Sequence, residues 1–332
     1  MKIVAAAVFV SLVLAPWYSA HGQVDSLSFA SIGASDSVGI TPPQAAEETR
    51  HNDTLALRSS QSAALSPSLR YTKPGIADMI TDLPGAWADW GRLTFKMENV
   101  PMYSGIGILT AAMVVTDRQT YRPLRKFYNE NKTYHDAAEV FQFMGDGWFQ
   151  FGIGAAFCAH GLIFNDAKSL STASQTVEVI LACGGVVQTL KHLTGRESPF
   201  VATSSTGKWV LFPNQIEYAH HVPHYDAYPS GHVATAMATL TVITENYPDA
   251  TWLKYVGYPT IGLIGVSMMG TGIHWLSDYP LSWALGYTFG KAVAHRHKPH
   301  TDDMARENKY APDADFTVMS NGAPGIALTW KW

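Results

Sequence analysis

The chain has 332 residues, of which 47% are hydrophobic and only 15% are charged, so it is long enough to bury a sizeable core. Its formal net charge is −4, which lacks the basic excess expected of a nucleic-acid-binding protein. The mean hydropathy of −0.01 is low for a protein with many membrane spans. We therefore expect one main domain with extensions and no nucleic-acid partner.

The first 22 residues have the pattern of a secretory signal peptide. Lys2 gives the positive start, residues 3–14 form an apolar stretch, and Ala20-His21-Gly22 is a small-residue cleavage site. This pattern predicts that residues 1–22 are removed and that the mature chain is exported, to the periplasm in a Gram-negative source. An uncleaved signal anchor is the alternative interpretation.

The next stretch, residues 23–70, is rich in Ser, Ala, Asp and Thr and contains Pro42-Pro43. It has no sustained hydrophobic periodicity, and a segment of this composition does not bury enough apolar surface to fold alone. We interpret it as a flexible leader without chemistry.

From about residue 71 the chain has the periodicity of helices, and the prediction is an all-α bundle over residues 71–300. The candidate helices are residues 76–90, 102–116, 137–164, 173–193, 230–247, 252–269 and 281–294. Cys158 and Cys183 lie in apolar segments, which predicts free thiols, with one disulfide as the alternative. Strand-like alternation is scarce before residues 325–332, and we interpret residues 301–332 as a surface tail.

Membrane insertion needs about 18 to 20 consecutive apolar residues per helix. Residues 147–164 come closest and are interrupted by Gln150 and His160. The candidate helix at residues 173–193 contains Glu178 and Gln188, and the one at residues 252–269 is expected to be broken by Pro259. The sequence thus favours a soluble or peripherally attached periplasmic bundle, with peripheral membrane contact through aromatic side chains. An integral membrane protein is the alternative.

A short motif, Tyr228-Pro229-Ser230-Gly231-His232, precedes a small apolar run. Ser230 is a good N-cap for a helix over residues 231–246. The first N–H groups of such a helix have no internal partner and favour an anion such as phosphate. We expect Ser230 and Gly231 to donate to phosphate oxygens, with Gly231 leaving room for the anion and His232 beside it.

A second motif, His274-Trp275-Leu276-Ser277-Asp278, places a histidine four residues before an aspartate. Pro280 suits the first turn of the next helix, so His274 is predicted to lie in the preceding turn. Asp278 can then contact the imidazole Nδ1, which leaves Nε2 free to attack phosphorus. The alternative for His274 is a core histidine without chemistry.

A third segment, residues 191–199 (KHLTGRESP), carries Lys191 and Arg196. Both are candidates for phosphate binding, although basic side chains are also common at solvated helix ends. Taken in order, the three segments resemble the PAP2 superfamily, which includes type 2 phosphatidic acid phosphatases, bacterial nonspecific acid phosphatases and vanadium haloperoxidases. The resemblance covers about residues 140–295.

The resemblance implies a helical bundle of the acid phosphatase–haloperoxidase type and a phosphohistidine mechanism. In it His274 is the nucleophile, Asp278 orients it, and His232 protonates the leaving group. Lys191 matches the lysine of the first motif, and Arg196 matches a supporting arginine. The family mechanism requires no metal and no cofactor.

Two motif positions depart from the family. Ser198 and Met268 stand where the family has phosphate-binding arginines. Each lost contact weakens phosphate or transition-state binding by about 1.5 to 3 kcal/mol. The candidates to replace the charge are His192, Lys208, His220, His221 and His224. The last three match no standard metal spacing, and we interpret them as a polar loop near the pocket.

The expected function is an exported PAP2-like phosphatase acting on a phosphate monoester or a lipid (di)phosphate. The alternative, motivated by Ser198 and Met268, is a catalytically impaired PAP2-fold protein with a binding or structural role. A vanadate-dependent haloperoxidase is a third alternative, disfavoured because tight vanadate capture needs the missing arginines. The expected partner is a phosphorylated small molecule or lipid phosphate.

Overall fold

The computed structural model describes residues 71–75, 77–298, 313–318 and 324–329. The predicted signal peptide and leader, residues 1–22 and 23–70, lie outside the described residues, as does the rest of the tail. The described part of the body is built of helices, which confirms the all-α prediction.

The elements are numbered here in chain order. The helices are α1 Asp78–Thr81, α2 Leu83–Thr94, α3 Val100–Glu130, α4 Lys132–Gly145, α5 Gly147–Ile163, α6 Ala167–Thr194, α7 Gln215–His220, α8 Gly231–Asn246, α9 Trp252–Thr271 and α10 Tyr279–Arg296. Single 3-10 turns cover Met97–Asn99, Pro199–Val201, Val222–His224 and Leu276–Asp278. In the tail, β1 Asp313–Val318 pairs antiparallel with β2 Pro324–Thr329, with Asp313 opposite Thr329.

The helix boundaries follow local signals. The single helix predicted over residues 137–164 is wrong, because Asp146 adopts an extended conformation and its side chain accepts a hydrogen bond from the Trp148 N–H, which caps α5. Pro259 lies within α9 and leaves it one helix. The prediction for α8 is confirmed, with Ser230 at its N-cap.

The centre of the bundle is α8, which packs against α6 and α10. The buried core includes Val179, Ala182, Cys183, Val187, Ala234, Ala238, Val242, Leu285, Phe289 and Val293. At Gly286 a Cβ would clash with the Ala234 carbonyl oxygen, so the close approach of α10 to α8 requires glycine there. This packing fixes the axis of α8 and hence the position of its N-terminus.

Two helices are long and apolar enough to cross a membrane, Met97–Glu130 and Ala167–Thr194. In the second, 61% of the apolar window is buried, so packing inside the bundle explains its apolar character. In the first only 6% is buried, and Ile108 and Val115 are each 72% exposed. The apolar face of α3 thus has no cover among the described residues, which fits the integral-membrane alternative better than a soluble bundle.

Candidate active site

His274 lies in the turn between α9 and α10, and its side chain is buried. Its Nδ1 is 2.7 Å from the Ala227 carbonyl oxygen and 3.4 Å from Asp278 Oδ2. A carbonyl oxygen can only accept, so Nδ1 carries a hydrogen, and in the neutral imidazole Nε2 then has the lone pair. The sequence indicated the Asp278 contact but missed the carbonyl of Ala227, because a backbone contact between distant segments leaves no residue signature.

Asp278 is fully buried and held on both oxygens. Its Oδ2 accepts from the Trp275 N–H at 2.7 Å, and its Oδ1 accepts from Arg196 Nη1. The carboxylate of Asp278 therefore has a fixed orientation next to the imidazole of His274. A positioning group held in this way keeps the histidine in one tautomer.

Arg196 is fully buried, and the terminal nitrogens of its guanidinium donate hydrogen bonds to other groups of the protein. Nη1 donates to Asp278 and, at 2.7 Å, to Ser277 Oγ; Nη2 donates to Asp117 Oδ2 at 2.6 Å and to the Thr206 carbonyl at 2.8 Å. Arg196 thus lies between two buried carboxylates. These contacts differ from the expected phosphate-binding role and suit a residue that positions Asp278.

Asp117, from α3, is a residue of the candidate site that sequence reasoning missed. It is fully buried and accepts from the Ser277 N–H at 3.1 Å and from Ser277 Oγ at 2.6 Å, as well as from Arg196. It lies outside the three motifs, directly after an apolar stretch. The predicted helix over residues 102–116 stops one residue before it, so the prediction did not include Asp117.

The N-terminus of α8 faces His274. Ser230 is fully buried, and its Oγ accepts from the Val233 N–H at 3.5 Å. The rings of His232 and His274 have centroids 6.3 Å apart, with planes inclined by 68°. The structure therefore brings together two imidazoles that are far apart in sequence, at a helix end whose first N–H groups favour anions.

The pKa of His232 is lowered to about 4, first by burial and then by the neighbouring His274 and Lys191. Burial removes the water that would stabilise the imidazolium, and a nearby positive charge disfavours it further. His232 is therefore neutral near pH 7 in the free protein. A phosphate anion between the two rings would raise this pKa and favour the protonated form.

Lys191, near the end of α6, is the cation at this helix end. Its side chain is buried, and its Nζ lies 2.6 Å from Asp226 Oδ2. A Cβ placed on Gly231 would lie 4.0 Å from that Nζ, so Lys191 and the start of α8 border the same space. Asp226 also accepts from the Tyr218 hydroxyl, and burial together with this carboxylate raises the pKa of Tyr218.

The two positions that lack the family arginines are both buried. Met268 is fully buried in α9, and Ser198 donates its backbone N–H to the Pro223 carbonyl at 2.8 Å. The candidate replacements have other neighbours or face solvent: His192 bonds Gln215, His224 lies 3.7 Å from Glu197, and Lys208, His220 and His221 are exposed. Among the described residues, Lys191 is therefore the cation beside the helix end.

Comparisons with known proteins find similarity to one superfamily. Residues 173–302 match the family model of the PAP2 superfamily. A stretch of 67 residues is 34% identical to a lipid A 1-phosphatase from Porphyromonas gingivalis and amounts to 20% of this chain and 15% of that relative. The chain thus matches only a small part of the length of this relative.

A solved structure, a transmembrane PAP2 type phosphatidylglycerolphosphate phosphatase from Bacillus subtilis, is 13% identical, with a TM-score of 0.38 over 67% of this chain and 96% of that one. The match to the family model covers the segments that hold Lys191, His232 and His274. The similarity of this chain to the PAP2 superfamily therefore includes all three of these residues.

Proposed function

We propose that the protein is a PAP2-type phosphatase that hydrolyses a lipid phosphate through a phosphohistidine at His274. The observation that carries the proposal is the pair of imidazoles, 6.3 Å apart, one of which has its Nδ1 hydrogen bonded to the Ala227 carbonyl. We propose that the phosphate lies between Nε2 of His274 and the imidazole of His232, beside the N-terminus of α8.

In the proposed mechanism, Nε2 of His274 attacks phosphorus, and a P–N bond forms as the P–O bond to the leaving group breaks. His232, protonated once the anion is bound, gives its proton to the leaving alkoxide. His232 then takes a proton from water, whose oxygen attacks phosphorus and breaks the P–N bond. Lys191 and the first N–H groups of α8 stabilise the charge on the phosphoryl oxygens.

An apolar pocket next to the site supports a lipid as the substrate. It runs between α5, α8 and α9, is lined almost entirely by apolar atoms, and includes Ala236, Ile243 and Ile264. A Cβ on Gly145 would contact both Ile264 and His232, so the pocket and the histidine are near neighbours. We propose that a lipid chain occupies this pocket while its phosphate lies between the histidines.

The apolar face of α3 supports a location in the membrane. α3 has 31 residues, which correspond to a length of about 46 Å at 1.5 Å per residue, enough to cross the hydrocarbon core. We propose that α3 contacts lipid and brings the site to a lipid substrate. Export through residues 1–22 remains part of this proposal.

Trapping of the phosphoenzyme tests the mechanism. The full chain in detergent is given p-nitrophenyl [³²P]phosphate, whose leaving group needs no proton, and is quenched in alkali, in which phosphohistidine is stable. We expect His232→Ala to accumulate label, because it lacks the base for the water step, and His274→Ala to remain unlabelled. The control His192→Ala changes a nearby histidine and should turn over normally. Labelling of the His274 variant would contradict the assignment.

The lipid pocket has its own test. Thr260 is a partly exposed residue of the pocket wall, and Thr260→Trp fills part of the space. We expect kcat/KM for long-chain phosphatidic acid to fall about tenfold, an estimate based on lost apolar burial, while that for p-nitrophenyl phosphate stays unchanged. If kcat/KM falls equally for both substrates, the substitution does not act through binding of the lipid chain, and the proposed role of the pocket is contradicted.

A second candidate function is a catalytically impaired PAP2-fold protein that binds a phosphorylated ligand. The specific observation is that Ser198 and Met268, at the two arginine positions, are both buried. The double variant Ser198→Arg/Met268→Arg separates the two candidates. A weakened enzyme should gain rate, by about tenfold or more for each restored charge-assisted contact, whereas an inert binding protein should gain none.

A further inference from the structure

A second cluster of chemically active side chains lies away from the histidine pair. Asp82, at the start of α2, Glu178, within α6, and His297, just after α10, each offer one ligand atom, and these atoms lie within 4.8 Å of one another. Glu178 and Lys191 are thirteen residues apart on α6, which corresponds to about 20 Å of helix. The cluster is therefore at a different level of the bundle from the proposed active site.

Glu178 carries the unusual feature of the cluster. Its side chain is fully buried, and its Oε1 has no hydrogen-bond partner among the described residues. Its other oxygen, Oε2, is 2.6 Å from His297 Nε2. A buried carboxylate oxygen without a partner is unfavourable, and a cation bound at the cluster would compensate it.

The remaining geometry suits a metal ion with access to solvent. His297 Nε2 is 3.8 Å from Asp82 Oδ2, and the side chains of His297 and Asp82 are 24% and 28% exposed. Water can therefore reach one side of the cluster, which supplies both a route for the ion and further ligands. The nearby Arg296 is 3.7 Å from Asp82 Oδ1 but makes its closer ion pair, 2.8 Å, with Asp89.

We propose that Asp82, Glu178 and His297 bind a zinc ion. Imidazole nitrogens and carboxylate oxygens are both zinc ligands, and three protein ligands leave a position for water. Magnesium is disfavoured because it prefers oxygen ligands and retains several waters. Zinc needs the lone pair of His297 Nε2, so the neutral imidazole binds it with its hydrogen on Nδ1, and zinc takes the place of the hydrogen bond between His297 and Glu178.

The site would join three elements that are distant in sequence, the start of α2, the middle of α6 and the end of α10. Its role is structural, since the ligands lie away from the histidine pair. Bound metal stabilises the folded chain by mass action, because the unfolded chain does not hold the ligands together.

Metal analysis of the untagged full chain in detergent tests the proposal. After incubation with zinc and dialysis, we expect one zinc ion per chain in the wild type and loss of that ion in Glu178→Gln and in His297→Gln. Cobalt in place of zinc should give the visible absorption bands of a site with nitrogen and oxygen ligands. Saturating zinc should raise the wild-type unfolding midpoint by about 5 °C.

His295→Gln is the matched control. His295 is at the same end of α10, is 52% exposed, and lies 3.3 Å from Glu245, outside the cluster. This variant should keep the zinc ion and the cobalt spectrum. The proposal is overturned if the wild type retains no zinc, or if His297→Gln retains as much as His295→Gln. Other histidines can bind zinc weakly and add to the measured metal content. The proposal is therefore judged on the difference in zinc content between His297→Gln and His295→Gln.

Discussion

The groups around His274, the proposed nucleophile, differ sharply from the groups that would bind the phosphate oxygens. Around His274, Asp278 is held by Arg196, which is itself held by Asp117, and all of these side chains are buried. Beside the N-terminus of α8 lies Lys191, and its ammonium is already paired with Asp226. Several buried groups fix the orientation of the His274 imidazole, whereas little positive charge is available to bind the phosphate anion.

This difference teaches which part of the site tolerates change. Arg196 lies between two buried carboxylates, so its loss leaves uncompensated charges inside the protein. The positions of Ser198 and Met268 are filled by small or apolar side chains that leave no charge behind. Loss of phosphate-binding arginines is therefore compatible with folding, while loss of Arg196 is not expected to be.

The largest effect should follow from Arg196→Met. It leaves Asp117 and Asp278 buried without a cation, so we expect the free energy of unfolding to fall by about 3 to 5 kcal/mol. Chemical denaturation in detergent measures this. Adding Asp117→Asn should recover part of the loss. The control Arg125→Met removes an arginine that donates to the Gly270 and Thr271 carbonyls and lies over the Tyr128 ring, with no carboxylate partner among the described residues; an equal loss there would contradict the argument.

The next effect concerns pH. The pKa of His232 is about 4 in the folded protein and 6.5 ordinarily, so between these values the unfolded chain binds the proton and the folded chain does not. Stability should therefore decrease as pH falls from 6.5 to 4, by up to about 3 kcal/mol from this group, with no contribution above pH 6.5.

Denaturation of the wild type and of His232→Gln across this pH range measures the contribution. The two curves should run parallel above pH 7 and separate below pH 6.5, with the wild type losing stability relative to the variant. Inorganic phosphate should reduce the separation, because the bound anion favours protonated His232. Parallel curves down to pH 4 would show that the environment of His232 does not disfavour its charge.

A smaller effect is expected at the lysine. Lys191→Met removes the cation beside the start of α8, and kcat/KM should fall about 10- to 100-fold. Asp226→Asn removes the competing carboxylate, so inorganic phosphate should inhibit more tightly, by up to about tenfold. Steady-state kinetics measures both. If Asp226→Asn weakens phosphate binding, the carboxylate positions Lys191 and does not compete for it.

The smallest effect is expected at Gly231. A Cβ there would be in ordinary contact with Val187 and would lie 4.0 Å from Lys191 Nζ, so Gly231→Ala should fold normally. It narrows the space for the anion, and we expect phosphate affinity to fall about fivefold, or about 1 kcal/mol. Calorimetric titration with phosphate measures this, and Ala236→Gly, farther along α8, is the control for an altered helix.

The sequence was most informative where the signals are local. Ser230 caps α8 and Pro280 lies in the first turn of α10, as their positions predicted. The break at Asp146 had a local signal too, an aspartate before a glycine, which the apolar run on either side obscured.

Long-range contacts could not be predicted in this way. Asp117 meets Arg196 from a helix that no motif includes, and the Ala227 carbonyl is a backbone group that any residue could supply. The exposure of the apolar face of α3 also depends on which helices cover it, and composition does not report that. The proposed roles of the site residues stay predictions.

The short segment from Asp226 to Ser230 supplies the Lys191 partner, the His274 acceptor and the cap of α8, and its Tyr228 carbonyl also accepts from Thr194. Two of these contacts use backbone atoms, whose identity does not change with the side chain. Substitutions along this segment would therefore be tolerated better than a change in its length. Inserting one residue would put all of these contacts out of register at once, so length, more than composition, should be the feature that evolution preserves here.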